Sequence, residues 1–449
     1  MPVYESIYLY ITKADLNITN VEYTMAYEVL IFVYNKVNYY LLLYLIIALL
    51  LAYICLVAYI KIKLQFWRTQ PVFHIYNLVY WLNPPGIIDT KIPETENNKY
   101  MNHINIKTFN LSDIEEKNAL TLDKCCNFIK NYYAVHSFAQ NSDPEYLPTK
   151  NNIIGYMNGA NHAAYITVYQ EPEVLYQQGA AISSINTIKG VLSARAVNIC
   201  LKGKGPAFPV YYVDNLCVHP EVRKKGIAPE LIQTHYYNLR KNNPKIMTCL
   251  FKREGDLNAI VPLTTFETYG FTIATMNFPN DNDLHASMKV IEIGVPQLTL
   301  LVEFIKSQQT KFDCVILPDI TNLTNMIKTE NIIIYGLITN GLLLSIYVFR
   351  NIQLYYGIYN NSGRATECIL ALYSYNKELF VTGFNIALGK MKARLKLGVV
   401  LIEDTAQADG LIDNFKMLTV PILFRNPTAF FLYNYACYSV RSKSFLMLY

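Results

Sequence analysis

The sequence predicts an α+β protein with two core-bearing halves, preceded by one transmembrane helix. The chain is 449 residues long, which is more than one hydrophobic core usually organises. An uncharged run occupies positions 39–60 and is long enough to cross a bilayer. Behind this run, apolar stretches of strand length are followed by a segment with helical spacing, once in each half of the chain. These features set the fold class and the order of the domains.

The amino-terminal part is predicted to be a short segment outside the cytosol, residues 1–38, followed by the membrane helix, residues 39–60. At about 1.5 Å per residue, a run of this length reaches across a hydrocarbon core of about 30 Å. Lys61 and Lys63 follow the run directly, whereas Lys36 alone precedes it closely. The positive-inside rule therefore predicts a single-pass membrane protein whose large C-terminal part faces the cytosol. A buried core helix is the alternative, but such helices rarely extend so far without a charge.

The first half is predicted to span residues 61–289 and to begin with an extended arm, residues 66–100, in which prolines prevent long helices. Beyond the arm, the pattern predicts a strand, a helix, and two strands joined by a short turn rich in glycine and lysine. A second helix follows these strands. The elements lie at residues 104–111 (strand), 120–133 (helix), 190–200 and 208–218 (strands) and 229–241 (helix).

The second half is predicted to span residues 290–449. Two neighbouring apolar runs predict strands, and a longer segment with helical spacing follows them. A strand, a short helix and a closing strand complete the half. The elements lie at residues 331–337 and 342–350 (strands), 378–395 (helix), 398–403 (strand), 408–415 (helix) and 429–437 (strand).

A basic loop between the strand at 208–218 and the following helix predicts a site for an anion. The loop and the start of the helix contain Arg223, Lys224, Lys225, Gly226, Ile227, Ala228 and Pro229. Backbone N–H groups at a helix N-terminus point outward and the helix dipole adds positive potential, so such a loop suits a phosphate group. A solvated basic turn between a core strand and a helix is the alternative.

Three short motifs resemble signatures of the N-myristoyltransferase family, which belongs to the GNAT acetyltransferase superfamily. FWRTQPV at 66–72 resembles the family's FWxTQPV, and FLYNYAC at 431–437 resembles its YLYNWxC. NLCVHPEVRKKGIAP at 215–229 is similar to the family's FLCVH, followed by a basic loop and a proline. Within this loop, the order Arg-x-x-Gly-x-Ala resembles the pyrophosphate-binding turn of the superfamily. The motifs follow one another in the family's order across residues 64–449.

The resemblance implies two tandem acetyltransferase-like (GNAT) halves around a pseudo-twofold axis, with acyl-CoA on the first half and a peptide mostly against the second. It implies transfer of an acyl group from myristoyl-CoA, as co-substrate, to the N-terminal glycine amine of a protein. Contacts with acyl-CoA are implied for the loop residues 223–229 and for Phe66, Trp67, Thr69, Gln70, Leu216 and Val218.

The resemblance also implies a catalytic apparatus made mostly of backbone groups. The positions that match the family's oxyanion hole are Asn215 and Leu216, whose backbone N–H groups would do the work. The matching base is the α-carboxylate of the last residue, Tyr449. Burial would raise the pKa of this group from its ordinary value of about 3.5. In the alternatives, Leu216 is an ordinary core residue and the apolar C-terminus is buried for packing alone.

Departures from the family pattern bear on the acceptor. The family's acidic cluster after its first helix is missing from the matching segment, where Tyr133 is a candidate substrate contact. Lys252 falls near the family's threonine beside the substrate amine, and its charge would repel an ammonium group. Asp214 replaces the asparagine before the oxyanion pair, and it would either pair with Lys252 or hold the amine. Peptide preference and glycine specificity are left open.

Composition limits the remaining classes of function. A net charge of +5 with scattered Lys and Arg argues against a nucleic-acid partner. Nine cysteines without C-x-x-C spacing and seven dispersed histidines predict no metal site. Three functions remain: a membrane-anchored N-myristoyltransferase-like enzyme, an acyltransferase with another acyl-CoA or acceptor, and a membrane protein that keeps the fold without catalysis.

Overall fold

The computed structural model describes residues 20–94, 98–117, 119–133, 144–177, 180–255, 259–358 and 361–449. The chain divides into two compact units, Met1–Arg68 and Thr69–Tyr449.

The first unit contains two helices, α1 (Asn20–Lys63) and α2 (Gln65–Arg68). The stretch Tyr27–Lys63 of α1 is long and apolar enough to cross a membrane, judged by its length and composition. Most of its large apolar side chains are exposed, which is unfavourable in water. The predicted apolar helix is therefore present. It begins well before residue 39 because residues 20–38 contain no proline or glycine that would stop it.

The second unit contains the remaining elements. Its helices are α3 (Leu78–Leu82), α4 (Leu111–Lys117), α5 (Ala119–Tyr132), α6 (Lys150–Ile154), α7 (Ile227–Asn242), α8 (Leu298–Gln309), α9 (Ile320–Lys328), α10 (Lys377–Leu395) and α11 (Asp409–Met417). Its strands are β1 (Gly86–Ile87), β2 (Ile106–Asn110), β3 (Glu145–Tyr146), β4 (Tyr165–Gln177), β5 (Ala180–Leu201), β6 (Phe208–Val218), β7 (Cys249–Glu254), β8 (Thr264–Thr272), β9 (Met288–Glu292), β10 (Cys314–Leu317), β11 (Ile332–Thr339), β12 (Leu342–Arg350), β13 (Leu354–Ile358), β14 (Asn361–Tyr373), β15 (Leu397–Glu403), β16 (Ile422–Tyr433), β17 (Tyr435–Ala436) and β18 (Phe445–Met447).

Two runs of elements repeat the same pairing. In the first run, β2, β4, β5 and β6 pair antiparallel in turn, and β6 then pairs parallel with β7. In the second run, β9, β11, β12 and β14 pair antiparallel in turn, and β14 pairs parallel with β15. A long helix, α7 or α10, connects each parallel pair, as parallel strands require. The predicted tandem α+β fold is confirmed.

Strands near the C-terminus join the two runs into one sheet. β16 pairs with β7 on one side and with β8 on the other, and β8 pairs with β15. β18 lies parallel to β10, which pairs with β5. The largest buried apolar cluster lies against these strands and ends with Tyr449, which is fully buried. The last residues of the chain are therefore part of the core.

The arm at 66–100 differs from the prediction. It holds the short helix α3 and part of α2, besides the two-residue strand β1. Asn77 caps α3 by accepting the N–H of Tyr80. The helix ends before Pro84 and Pro85, so prolines do limit helix length here, but they do not keep the arm extended.

Candidate active site

The two parallel strands of the first run separate and leave a bulge in β6. β6 and β7 pair only over Tyr211–Val213 of β6. On the other side, a register shift in the pairing with β5 leaves Asn215 and Leu216 without a Cα partner on either neighbouring strand. Asn215 has a φ of 56°, a left-handed conformation that asparagine tolerates better than most residues. The bulge therefore frees two consecutive backbone positions beside the gap between the strands.

Hydrogen bonds from neighbouring side chains hold this bulge. Ser193 Oγ accepts from Asn215 Nδ2 at 2.9 Å and donates to the Asp214 carbonyl at 3.1 Å. The Asp214 carboxylate accepts the backbone N–H of Asn215 at 2.7 Å. The backbone N–H of Asn215, one of the two predicted oxyanion donors, is therefore already hydrogen-bonded to the Asp214 carboxylate. Leu216 carries no such contact and is 39% exposed.

A cavity of about 500 Å³ opens at the bulge. It brings together five residues that the sequence marked as catalytic or substrate contacts: Tyr133, Asp214, Asn215, Leu216 and Lys252. Its wall also contains further tyrosines and charged side chains, namely Tyr146, Tyr156, Tyr212, Tyr356, Arg195, Glu254, Arg350 and Glu367. A substrate here would meet aromatic rings and charges of both signs.

A buried charge cluster, defined as Lys252, Arg350, Glu367 and Glu403, lies at this cavity. Lys252, Arg350 and Glu367 line its wall, and Glu403 lies behind Lys252. Lys252 Nζ lies 2.6 Å from Glu403 Oε1 and 3.3 Å from Glu367 Oε1. Arg350 Nε donates to Glu367 Oε2 at 2.8 Å. The Tyr449 hydroxyl donates to Glu403 at 3.1 Å and lies 3.2 Å from Lys252 Nζ. The cluster is electrically neutral when all four groups are ionised.

The two carboxylates of the cluster titrate in opposite directions. Burial raises the pKa of Glu403 to about 7, because attraction by Lys252 offsets only part of the desolvation and the charge of Glu367 adds repulsion. Burial also acts to raise the pKa of Glu367, but Arg350 and Lys252 outweigh it and hold the value at about 2. Burial acts to lower the pKa of Lys252, yet Glu367 and Glu403 raise it well above its ordinary value. Lys252 therefore stays charged, while Glu403 changes charge near neutral pH.

The basic loop presents a row of free backbone donors. No described residue accepts the N–H groups of residues 224–228. Gly226, at the N-cap of α7, and Lys224 both have left-handed φ angles, 93° and 64°. The Arg223 side chain turns back and donates to the carbonyls of Val218 and Tyr132. Arg223 thus shapes the loop, and the amides at the helix start are left for an anion.

Structural comparison gives the same fold in known proteins. A crystal structure of Saccharomyces cerevisiae N-myristoyltransferase with bound myristoyl-CoA matches with a TM-score of 0.59 and 16% identity, covering 85% of this chain and 94% of that chain. A second, also with bound myristoyl-CoA, gives a TM-score of 0.60 and 16% identity over 84% of this chain and 89% of that one. A third, with myristoyl-CoA and inhibitors, gives 0.59 and 14% over 84% and 91%. The chain has the N-myristoyltransferase fold. No protein-family model matches the sequence, and no curated protein does either.

Within the N-myristoyltransferase fold, the first motif lies partly outside the second unit. Phe66 and Trp67 belong to α2, with ring centroids 5.0 Å apart. Gln70 is buried in the second unit, where it accepts a hydrogen bond from the Tyr433 hydroxyl, and its amide donates to Thr69. Thr69 and Gln70 do not line the cavity. Their implied contact with acyl-CoA remains a prediction.

The side chain of Tyr449 lies beside the cavity. Its ring is fully buried between Tyr212 and Phe430, with centroids at 5.5 and 5.9 Å. The family resemblance implies a role for the α-carboxylate of Tyr449 alone, whereas the structure adds contacts from its hydroxyl to Lys252 and Glu403.

Sequence reasoning missed several charged residues of this site, among them Arg195, Glu254, Arg350, Glu367 and Glu403. They come from β5, β7, β12, β14 and β15, far apart in the chain. A charged residue inside an otherwise apolar strand is the only signal that would have marked them, since such a residue needs a partner when buried.

Proposed function

We propose that this protein is an acyl-CoA-dependent N-acyltransferase, and that it transfers a long-chain acyl group such as myristoyl to the N-terminal glycine amine of a protein. The free amides of residues 224–228 carry the proposal. They follow the bulge of β6 on the same strand-to-helix connection. This arrangement suits a ligand with a pyrophosphate at the loop and a thioester at the bulge.

The reaction joins the acceptor amine to the acyl carbon. The amine nitrogen attacks the thioester carbonyl, which gives a tetrahedral oxyanion. Collapse of this intermediate breaks the C–S bond, and CoA leaves as a thiolate that takes up a proton. The nitrogen loses one proton to a base. Oxyanion donors and a base are therefore the two demands on the protein.

The bulge and its neighbours suit both demands. The N–H of Leu216 is the first oxyanion donor, and that of Asn215 becomes the second when the Asp214 carboxylate turns away from it, towards the incoming amine. The α-carboxylate of Tyr449 is the proposed base, as the family resemblance implies. The amine reacts in its neutral form, because only a deprotonated nitrogen has a lone pair for the attack. Lys252 stays cationic beside it, in contact with Glu367 and Glu403.

Thiol release from an acyl-CoA series tests this function. The purified full-length protein is given acetyl- to palmitoyl-CoA with a glycyl peptide, with the N-acetylated peptide, and with a peptide whose sole amine is a lysine. We expect myristoyl-CoA and the glycyl peptide to give the fastest release and an N-acylated product by mass spectrometry. Preference for acetyl-CoA or for the lysine peptide would favour the related acyltransferase, and absence of acyl-CoA binding would favour a non-catalytic membrane protein.

We also propose that α1 anchors the protein in a membrane, with residues 66–449 in the cytosol. The basic residues after residue 60 support this orientation. The sequon at Asn110 tests it, because Asn110 is only partly buried and should stay unglycosylated in cells with glycosylation machinery. The sequon at Asn322 should stay unglycosylated as well, although Asn322 is fully buried once the chain has folded. The sequon at Asn17, outside the described residues, should be glycosylated.

A further inference from the structure

Arg195 is a buried cation that lines the cavity without an acidic partner. It lies on β5 and is 4% exposed. Its Nη1 donates to the Tyr156 carbonyl at 3.1 Å and makes a longer contact of 3.6 Å with Met326 Sδ. In the described part of the chain, no carboxylate lies within ion-pair distance of Arg195, and no acceptor receives its Nε and Nη2 hydrogens.

This arrangement leaves a charge without full compensation. A buried charge is unfavourable unless it is paired. The rings of Tyr156 and Tyr212 lie 5.1 and 5.3 Å from the guanidinium carbon, and such contacts offset only part of the desolvation. The two cations of the charge cluster differ from Arg195, because Lys252 and Arg350 both contact Glu367. The charge of Arg195 is therefore available to a ligand.

The free hydrogens of Arg195 have the geometry of a carboxylate site. Nε and Nη2 form one edge of the guanidinium plane and present two parallel N–H groups, which match the two oxygens of a carboxylate. Nη1, which faces the Tyr156 carbonyl, belongs to the other side. The contact with Tyr156 and the two aromatic rings hold the plane in place, so the free edge is organised before a ligand arrives.

The position of Arg195 relates this edge to the acceptor amine. Arg195 lies two residues from Ser193 on β5, on the same face, and Ser193 supports the bulge. The Cα atoms of two residues at i and i+2 of a strand lie roughly 7 Å apart, so the side chain of Arg195 starts close to the bulge. We propose that Arg195 binds a carboxylate of the acceptor whose amine lies at the bulge. The acceptor class is then a peptide with an Asp or Glu side chain close to its N-terminus, or a short acceptor with a free C-terminal carboxylate.

This inference rests on the proposed function only in taking the cavity as the acceptor site, so its test measures binding and not turnover. Peptides are titrated calorimetrically into the full-length protein in detergent. One series begins with glycine, has an amidated C-terminus, and carries Asp or Asn, or Glu or Gln, at position 2, 3 or 4. A second series compares uncharged peptides of two to four residues with a free or an amidated C-terminus, which separates the two sources of carboxylate.

We expect the acidic member of at least one pair to bind about tenfold tighter or more than its amide. Arg195→Met should reduce this ratio to near one and leave binding of the all-amide peptide unchanged, while Arg195→Lys should keep part of it. Arg425→Met, which removes an exposed arginine, is the control and should keep the full ratio. Equal binding of acid and amide throughout both series of the wild-type protein would overturn the inference whether or not the variants fold. An unchanged ratio in folded Arg195→Met would do so too. Acid preference without acyl transfer would instead count against the proposed function alone.

Discussion

Lys252 Nζ lies 2.6 Å from Glu403 Oε1, so a cation on β7 of the first run contacts a carboxylate on β15 of the second. The two side chains are 9% and 2% exposed. Since Lys252 also lines the cavity, the contact that joins the two runs lies directly behind the proposed acceptor site. A change in this pair is therefore expected to affect both the stability of the protein and the proposed acceptor site.

Removing Lys252 should destabilise the protein strongly. Lys252→Met leaves two buried carboxylates with Arg350 as their remaining cation, and breaking a buried pair in this way costs about 3–5 kcal/mol in the free energy of unfolding. Urea unfolding of the solubilised protein measures the change. Lys117→Met is the matched control, because Lys117 forms an exposed pair with Asp113 and should contribute less than about 1 kcal/mol. Equal stability of the two variants would contradict the assigned role of Lys252.

Glu403 should make stability fall as the pH rises through neutrality. Its pKa is raised from an ordinary 4.5 to about 7 in the folded state, so the folded protein holds this proton more tightly than the unfolded chain. The resulting stabilisation is fully present below about pH 4.5 and lost as the pH passes about 7. Glu367 acts in the opposite sense, but only as the pH falls from 4.5 towards 2. Thermal unfolding between pH 5 and 8 should show a decline that Glu403→Gln flattens; an equal decline in both proteins would show that Glu403 is not its source.

Turnover should depend on the position of the C-terminal α-carboxylate, whereas stability should depend on the Tyr449 hydroxyl. A short C-terminal extension moves the α-carboxylate by up to about 3.5 Å per residue and should reduce turnover on the order of a hundredfold. Acyl-CoA binding should remain. Tyr449→Phe keeps the carboxylate and should change turnover little, but it removes a hydroxyl from Glu403 and should lower stability by about 1–2 kcal/mol. An extended protein with undiminished turnover would place the base elsewhere, with Asp214 the next candidate.

Ser193 should act as a positioning residue for the bulge. Ser193→Ala removes its hydrogen bonds with Asn215 Nδ2 and the Asp214 carbonyl, so the amides of the bulge lose their support. We expect kcat to fall about tenfold with KM for acyl-CoA nearly unchanged. Ser112→Ala, an exposed serine on α4, should leave both constants unchanged. Equal kcat in the two variants would show that the bulge does not contribute to catalysis.

The periodic elements and the anion loop could be predicted from local sequence. The helix at 120–133 and the strands at 208–218 and 342–350 have apolar residues at regular spacing, and the structure places α5, β6 and β12 there. The loop could also be found, because glycine and lysines between a strand and a helix are neighbours in the sequence. The three motifs that resemble the N-myristoyltransferase family then predicted the tandem fold.

The charge cluster could not be predicted in this way. Lys252 is the fourth residue of the mixed sequence CLFKRE, in which no alternation marks a strand, and this is why β7 escapes prediction. The lysine is tolerated in a central strand because Glu367 and Glu403 meet it there. Those partners lie more than a hundred positions away, and the successive pairing of β7, β16, β8, β15 and β14 brings them near. Long-range pairing of this kind leaves no local pattern.

Acyl-CoA binding by two variants of Gly226 tests whether the basic loop holds the pyrophosphate of acyl-CoA. Gly226 has a φ of 93°, and a Cβ added there would meet no atom within 4 Å, so Gly226→Asn and Gly226→Asp share the same backbone strain and differ in charge alone. Native mass spectrometry and titration with myristoyl-CoA measure binding. We predict that the wild-type protein binds one myristoyl-CoA, that Gly226→Asn keeps most of the affinity, and that Gly226→Asp loses about tenfold or more because its carboxylate repels the pyrophosphate. Equal affinity of the two variants, or no acyl-CoA bound by the wild-type protein, would contradict the account.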